Sequence, residues 1–158
     1  MELCPEWVVG FVDGEGCFFV GIQRHPSTST GYQVIPEFRV VQHKRDMQVL
    51  HALKRFFGCG IICQNHEDRW ELRVRKIENL QKIVEFFEQH PLKTKKQIDF
   101  LKFRDVLRLM QNREHLLLDG IKRIASIASG MNTCKREAIG HLLDKDRVHA
   151  GLKESEST

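Results

Sequence analysis

The sequence predicts an α+β domain in which two β-hairpins build one four-stranded antiparallel sheet with helices against a single face. Three observations predict it. Two pairs of short segments with alternating polarity are each joined by a polar turn, at 17–42 and 60–75. One amphipathic run separates the pairs, and further helical patterns precede the first and follow the second. The order is therefore α-β-β-α-β-β-α, followed by extra C-terminal helices.

Each element has its own signals. Pro5 suits the first turn of a helix, Glu6 complements its positive end, and the helix is expected to stop near Asp13, before the glycines. CFFVGIQ (17–23) reads as a strand, RHPSTSTGY as a polar loop and YQVIPEFRVVQ (32–42) as a second strand. Pro36 cannot donate to a ladder and argues for a bulge or an edge. Asp46 is a candidate cap for the helix MQVLHALKRFF, in which Val49, Leu50, Leu53, Phe56 and Phe57 share a face and Gly58 ends the run. GIICQ (60–64) and RWELRVR (69–75) flank the turn NHED. IENLQKIVEFFEQHP is a helix ended by Pro91. Amphipathic stretches then run from Lys95 to about Gln111 and from Arg113 to Ser129. One domain over 1–150 and a fraying polar tail over 151–158 are expected.

Composition narrows the class. With 41% hydrophobic and 29% charged residues, the 158-residue chain has the balance of a globular protein with a sizeable core. It has no apolar run of the roughly 20 residues a membrane span needs and no signal-peptide pattern, so an intracellular setting is expected, an organelle or a prokaryotic cytoplasm. Five cysteines at irregular spacing argue for free thiols. Cys59, Cys63 and His66 lack a fourth zinc ligand at finger spacing and read better as ordinary strand residues. The net charge of +4 divides into −4 over residues 1–16 (Glu2, Glu6, Asp13, Glu15) and +8 over the remainder. Acid is concentrated at the start, and base is spread over the rest of the chain.

The last strand shows what one sheet face presents. Trp70, Leu72 and Val74 alternate with Arg69, Glu71, Arg73 and Arg75, so one face is core and the other strongly basic. In the first hairpin the outward set holds Phe19, Gly21, Gln23 and His25, then Gln33, Ile35, Glu37 and Arg39; the third strand adds Ile61, Cys63 and Asn65. Any one strand of this kind is ordinary solvated surface. Together with KTKK and the Lys135–Arg136 pair, the face fits double-stranded DNA, because Arg, Gln, Asn and Glu read base edges and a β-ribbon fits the major groove.

The remaining signal is EWVVGFVDGEGCFFVGI (6–22), where Asp13, Glu15 and three glycines sit between an apolar helix and an apolar strand. Such a seam can hold a hard divalent cation through carboxylate and backbone oxygens. On composition alone an acidic helix–strand turn accounts for it as well. VVGFVDGEG (8–16), however, closely resembles the signature of the LAGLIDADG homing endonucleases, with Glu in place of the final Asp. The element order, VVQHKRD, PLKTKKQIDFLKF and GMNTCKRE are similar to that family over about residues 5–140.

The resemblance implies a site-specific double-strand DNA endonuclease with a saddle-shaped sheet, cutting a near-palindromic target to staggered ends and encoded within a mobile intron. One motif in the chain implies a homodimer, with Val9, Gly10, Asp13 and Gly14 at the interface. It also implies Mg²⁺ as cofactor, held by Glu15 and the Gly14 carbonyl. Glu15, Gln42 and Lys95 match the catalytic positions, with Lys93 and Lys96 as neighbours that could exchange with Lys95. Gln23, His25, Gln33, Glu37, Arg39, Asn65, Arg69, Glu71, Arg73 and Arg75 match DNA-contacting positions, and Lys135 and Arg136 would grip phosphate. No small-molecule substrate or membrane is implied. The alternative is a nucleic-acid-binding protein of the same fold without nuclease activity, such as an RNA splicing maturase.

Overall fold

The computed structural model describes residues 1–132 together with 140 and 142. Helix α1 (Pro5–Glu15) leads directly into the hairpin β1 (Gly16–Arg24) and β2 (Tyr32–His43). A 3₁₀ turn (Lys44–Asp46) and α2 (Met47–Phe57) connect to a second hairpin, β3 (Ile61–His66) and β4 (Arg69–Val74). Helices α3 (Ile77–Gln89), α4 (Lys96–Gln111) and α5 (Leu118–Ser129) complete the described fold. The sheet is antiparallel throughout, in the order β1-β2-β4-β3, so the hairpins join through β2 and β4.

Several boundaries differ from those the sequence suggests. Helix α1 continues past Asp13 through Gly14 to Glu15, since Gly14 does not take the left-handed conformation by which a glycine ends a helix. Asp46 caps nothing with its side chain; instead His43 Nδ1 accepts the Arg45 N–H at 3.2 Å, and the 3₁₀ turn feeds the chain into α2. Gly58, at φ 68°, does end α2 in the left-handed conformation that glycine adopts without strain. The second turn narrows to Glu67 and Asp68, with a register shift between Gln64 and His66. Pro36 pairs with Val20 in an unbroken register, but β4 pairing begins only at Phe38. Strand β2 is central yet locally an edge where proline sits, and proline is tolerated there.

The core lies between the helices and the inner sheet face. Phe18 of β1 meets the rings of Phe38, Phe87, Phe100 and Phe103 at centroid distances of 5.3–5.6 Å, joining β1 and β2 to α3 and α4. All five rings are essentially fully buried. Truncating one such phenylalanine typically costs about 3–5 kcal/mol. The free edge of β1 is covered in part by Asn132, whose amide donates to the Phe18 carbonyl at 2.9 Å.

Candidate active site and nucleic-acid interface

Helix α1 carries two faces. Val8, Val9 and Val12 are buried in the chain's own core, so Val9, an expected interface residue, is turned inward. Trp7, Gly10, Phe11 and Gly14 follow the i, i+3, i+4, i+7 spacing of a second stripe, with Trp7 stacked on Phe11 at 4.7 Å and 40% exposed. Nothing lies within 4 Å of a Cβ placed at Gly10 or Gly14, whereas one at Gly16 would meet Val12 Cγ1 at 2.6 Å and the Val12 carbonyl at 2.9 Å. Only Gly16 of these three is demanded by the packing of its own chain.

The two acids of the seam have separate surroundings. Asp13 accepts from the Lys93 N–H at 2.6 Å, the Thr94 N–H at 3.2 Å and the Thr94 hydroxyl at 2.6 Å. Thr94 Oγ1 also accepts the Lys96 N–H at 3.2 Å, so one hydroxyl ties the end of α1 to the start of α4. Partial burial pushes the Asp13 carboxyl up, but the Thr94 hydroxyl, the two backbone N–H groups and the Lys96 charge outweigh it and hold the group below its usual range.

Glu15 is exposed, and its one hydrogen bond among the described residues is from Gln42 Nε2 to Oε2 at 3.3 Å. Gln42 shares the parity of Phe38 and Val40, so it points to the helix side of the sheet, beyond the core and beside the foot of α1. Lys96 Nζ donates to the Val12 carbonyl at 3.1 Å. Burial lowers the Lys96 pKa from its ordinary value, against the opposing effects of Cys17, Asp13, Glu15 and Asp99. Lys95 stands exposed at the start of α4.

No group of three His, Cys, Asp or Glu side chains able to hold a metal occurs among the described residues. Cys59 is in the core, Cys63 lies beside Glu71 on the outer face and His66 is exposed at the strand end. A hard cation with waters and phosphate oxygens needs only one or two protein carboxylates, and Glu15 fits that donor chemistry.

The outer sheet face gathers most of the expected nucleic-acid residues. The register sets Arg39 opposite Arg73, Phe19 opposite Glu37 and Gln23 opposite Gln33, whose side-chain amides bond at 3.1 Å. The Arg39 guanidinium lies 5.2 Å from the Phe19 ring centroid. His25 is held by Ser27 at 2.7 Å, and Arg69 is exposed at the far end of β4. Glu37 and Glu71 differ from the rest: both are buried, at 3% and 4%, and bound to arginines or Asn65. Lys135 and Arg136, like the 151–158 tail, lie outside the described residues.

The LAGLIDADG endonuclease family profile matches residues 8–107, from the seam through α4. This chain belongs to the LAGLIDADG endonuclease family. A solved homing endonuclease, I-TnaI, shares 59% identity at a TM-score of 0.88, covering 92% of this chain and 99% of its own. I-SmaMI, solved bound to an uncleaved DNA target in the presence of calcium ions, shares 36% identity at a TM-score of 0.85, over 87% of this chain and 48% of its own. A probable intron-encoded endonuclease 3 of Neurospora crassa is 31% identical over 143 residues, 85% of this chain. The chain spans 26–29% of the length of the first curated relatives it matches.

Within this LAGLIDADG unit, Thr94 and Phe19 have structural parts that sequence reasoning did not give them. A threonine just before a helical run is a signal for a helix cap. Its second partner, Asp13, lies 81 residues away in the chain, and no local pattern announces it.

Proposed function

We propose that this chain is a Mg²⁺-dependent endonuclease that cuts double-stranded DNA site-specifically as a homodimer. The observation that carries this reading is Glu15: an exposed carboxylate with one amide hydrogen bond and no salt bridge among the described residues, with the Lys96 ammonium near enough to feel its charge. A carboxylate held by so few contacts of its own fold is available for a ligand. Glu15, with the Gly14 carbonyl, would hold the ion. When bound, Mg²⁺ supplies activation of water and neutralisation of charge on the leaving oxygen.

The chain's own residues do the rest. Gln42 donates to one oxygen of Glu15, and no hydrogen bond to the other occurs among the described residues. Lys96, anchored on the Val12 carbonyl and close to both seam acids, is placed to order solvent and offset phosphate charge, with Lys95 as the exposed lysine next to it. Arg39, Arg69, Arg73 and Arg75, with Gln23, Gln33, His25 and Asn65, present the donors that face a major groove.

The second copy is supported by the outer stripe of α1, where Gly10 and Gly14 leave open space and the exposed Trp7 ring stacks on a partly buried Phe11. I-TnaI matches this chain over nearly its whole length, whereas I-SmaMI is about twice as long. Two copies would bring two Glu15 carboxylates to one centre and favour a near-palindromic target. Relatives named as intron-encoded support a role in intron mobility.

Incubating the protein with a random-duplex library in Mg²⁺, and sequencing both the cut ends and the retained duplexes, tests this. Staggered ends at one near-palindromic site are expected. Retention without ends would replace the nuclease by a binding module of this fold, with RNA as the next ligand to try.

A further inference from the structure

We propose that Glu37 and Glu71 are positioning residues for base recognition: they reach no base themselves and instead fix the directions of Arg39, Arg75 and Arg73. This rests on the reading of the outer face as a DNA surface. The two side chains are only 4% and 5% exposed, whereas those of Arg39, Arg73 and Arg75 are 33%, 26% and 52% exposed. A base edge entering from outside meets guanidinium first.

The partners are divided. Glu37 Oε1 takes Arg39 at 3.4 Å while Oε2 accepts from Arg75 Nε. Glu71 Oε1 faces Arg73 at 3.5 Å and the Cys63 thiol at 3.7 Å, and its Oε2 accepts from Asn65 at 2.6 Å. Arg39 and Arg73 are direct cross-strand partners, and like charges in that relation repel. Each acid draws one of them to its own side, so two guanidinium groups that would otherwise compete for space are held in separate territories. Arg39 is further fixed by the Phe19 ring.

Stability alone does not call for this arrangement, because a buried ion pair is commonly replaceable by apolar residues at no loss. What it supplies is preorganisation. A guanidinium carries its N–H donors in a rigid fork, so holding one side of it near a buried carboxylate sets the direction of the others; Arg73 Nε, buried without a hydrogen-bond partner, is not among those available. Two carboxylates near a polyanion would also repel phosphate if left unpaired, and the arginines cancel that charge.

The test is selection of retained duplexes from a random-duplex library by the wild type, Glu37→Gln, Arg39→Ala, Arg75→Ala and Glu37→Gln/Arg39→Ala. Glu37→Gln keeps shape and one acceptor oxygen. It is expected to flatten base preference about tenfold at the positions that Arg39→Ala and Arg75→Ala flatten, while retention elsewhere in the site holds. The double variant should be no flatter than Arg39→Ala at that residue's positions. Glu71→Gln with Arg73→Ala forms an independent second set should Glu37→Gln fail to fold. Loss spread evenly over all positions, or flattening where no arginine variant acts, overturns the inference while the functional reading stands. A wild-type chain that retains no duplex overturns both.

Discussion

Glu37 and Glu71 on the outer sheet face and Glu15 at the α1–β1 seam carry the same functional group in opposite environments. The sheet acids are buried, and each has an arginine within ion-pair distance. The seam acid is exposed, with a single amide contact. Burying a carboxylate is costly unless it is paired, so the sheet acids are legible as partners of the arginines. An exposed carboxylate with a single hydrogen bond is instead suited to an external cation. Asp13, two residues from Glu15, sharpens the contrast, since both of its oxygens accept hydrogen bonds from the 93–94 segment. Within one short motif, one acid is tied into the structure and the next is left exposed.

The largest effect expected from this division is on the metal. Chelation of divalent ions should reduce cleavage by at least about 10²-fold, the scale of losing one preorganised transition-state contact, while duplex retention persists; cleavage in excess chelator would break the distinction. Asp13→Ala should destabilise the fold by about 2 kcal/mol and lower Tm by roughly 4–8 °C in a thermal melt. If Asp13→Ala melts like the wild type, its bonds to Thr94 and Lys93 are not what holds the seam.

The glycines divide in the same way. Gly16→Ala should cost about 1–3 kcal/mol because its Cβ would enter Val12, whereas Gly10→Ala, mid-helix with open space at its Cβ, should raise monomer stability by about 0.5–1 kcal/mol. In sedimentation, Gly10→Ala should weaken self-association, and a Gly10→Ala dimer of unchanged strength would place the interface elsewhere. The smallest effect is in acid. Despite partial burial, hydrogen bonding holds folded Asp13 below its usual pKa, so its contribution is complete above the unfolded value near pH 4 and is lost as pH falls through the folded one. The Tm difference between wild type and Asp13→Asn should therefore shrink between pH 6 and pH 3.

The two regions also differ in how far the sequence reveals them. The sheet face was legible because strand periodicity is local: the alternation of Arg69, Glu71, Arg73 and Arg75 with Trp70, Leu72 and Val74 places them without knowledge of the rest. The burial of Glu37 and Glu71 was not legible, since it depends on which strands lie side by side. Arg75 reaches Glu37 only because β4 pairs with β2. At the seam, the resemblance pointed to Glu15, Gln42 and Lys95, and left Lys93 and Lys96 as neighbours that could exchange with Lys95. That choice depends on the turn of α4, which sends Lys96 toward Val12 and leaves Lys95 outside. The helix end was misplaced because glycine stops a helix where it turns left-handed, as Gly58 does, and Gly14 is not among the positive-φ glycines.

The most direct measurement is cleavage and thermal stability recorded together for Glu15→Gln on a duplex recovered by selection. Loss of cleavage by about 10²-fold or more, with retained binding and a Tm within about 2 °C of wild type, is the result expected of an acid reserved for a metal ion. Full cleavage by that variant would contradict the assignment, and a large fall in Tm would show that Glu15 belongs with the structural acids after all.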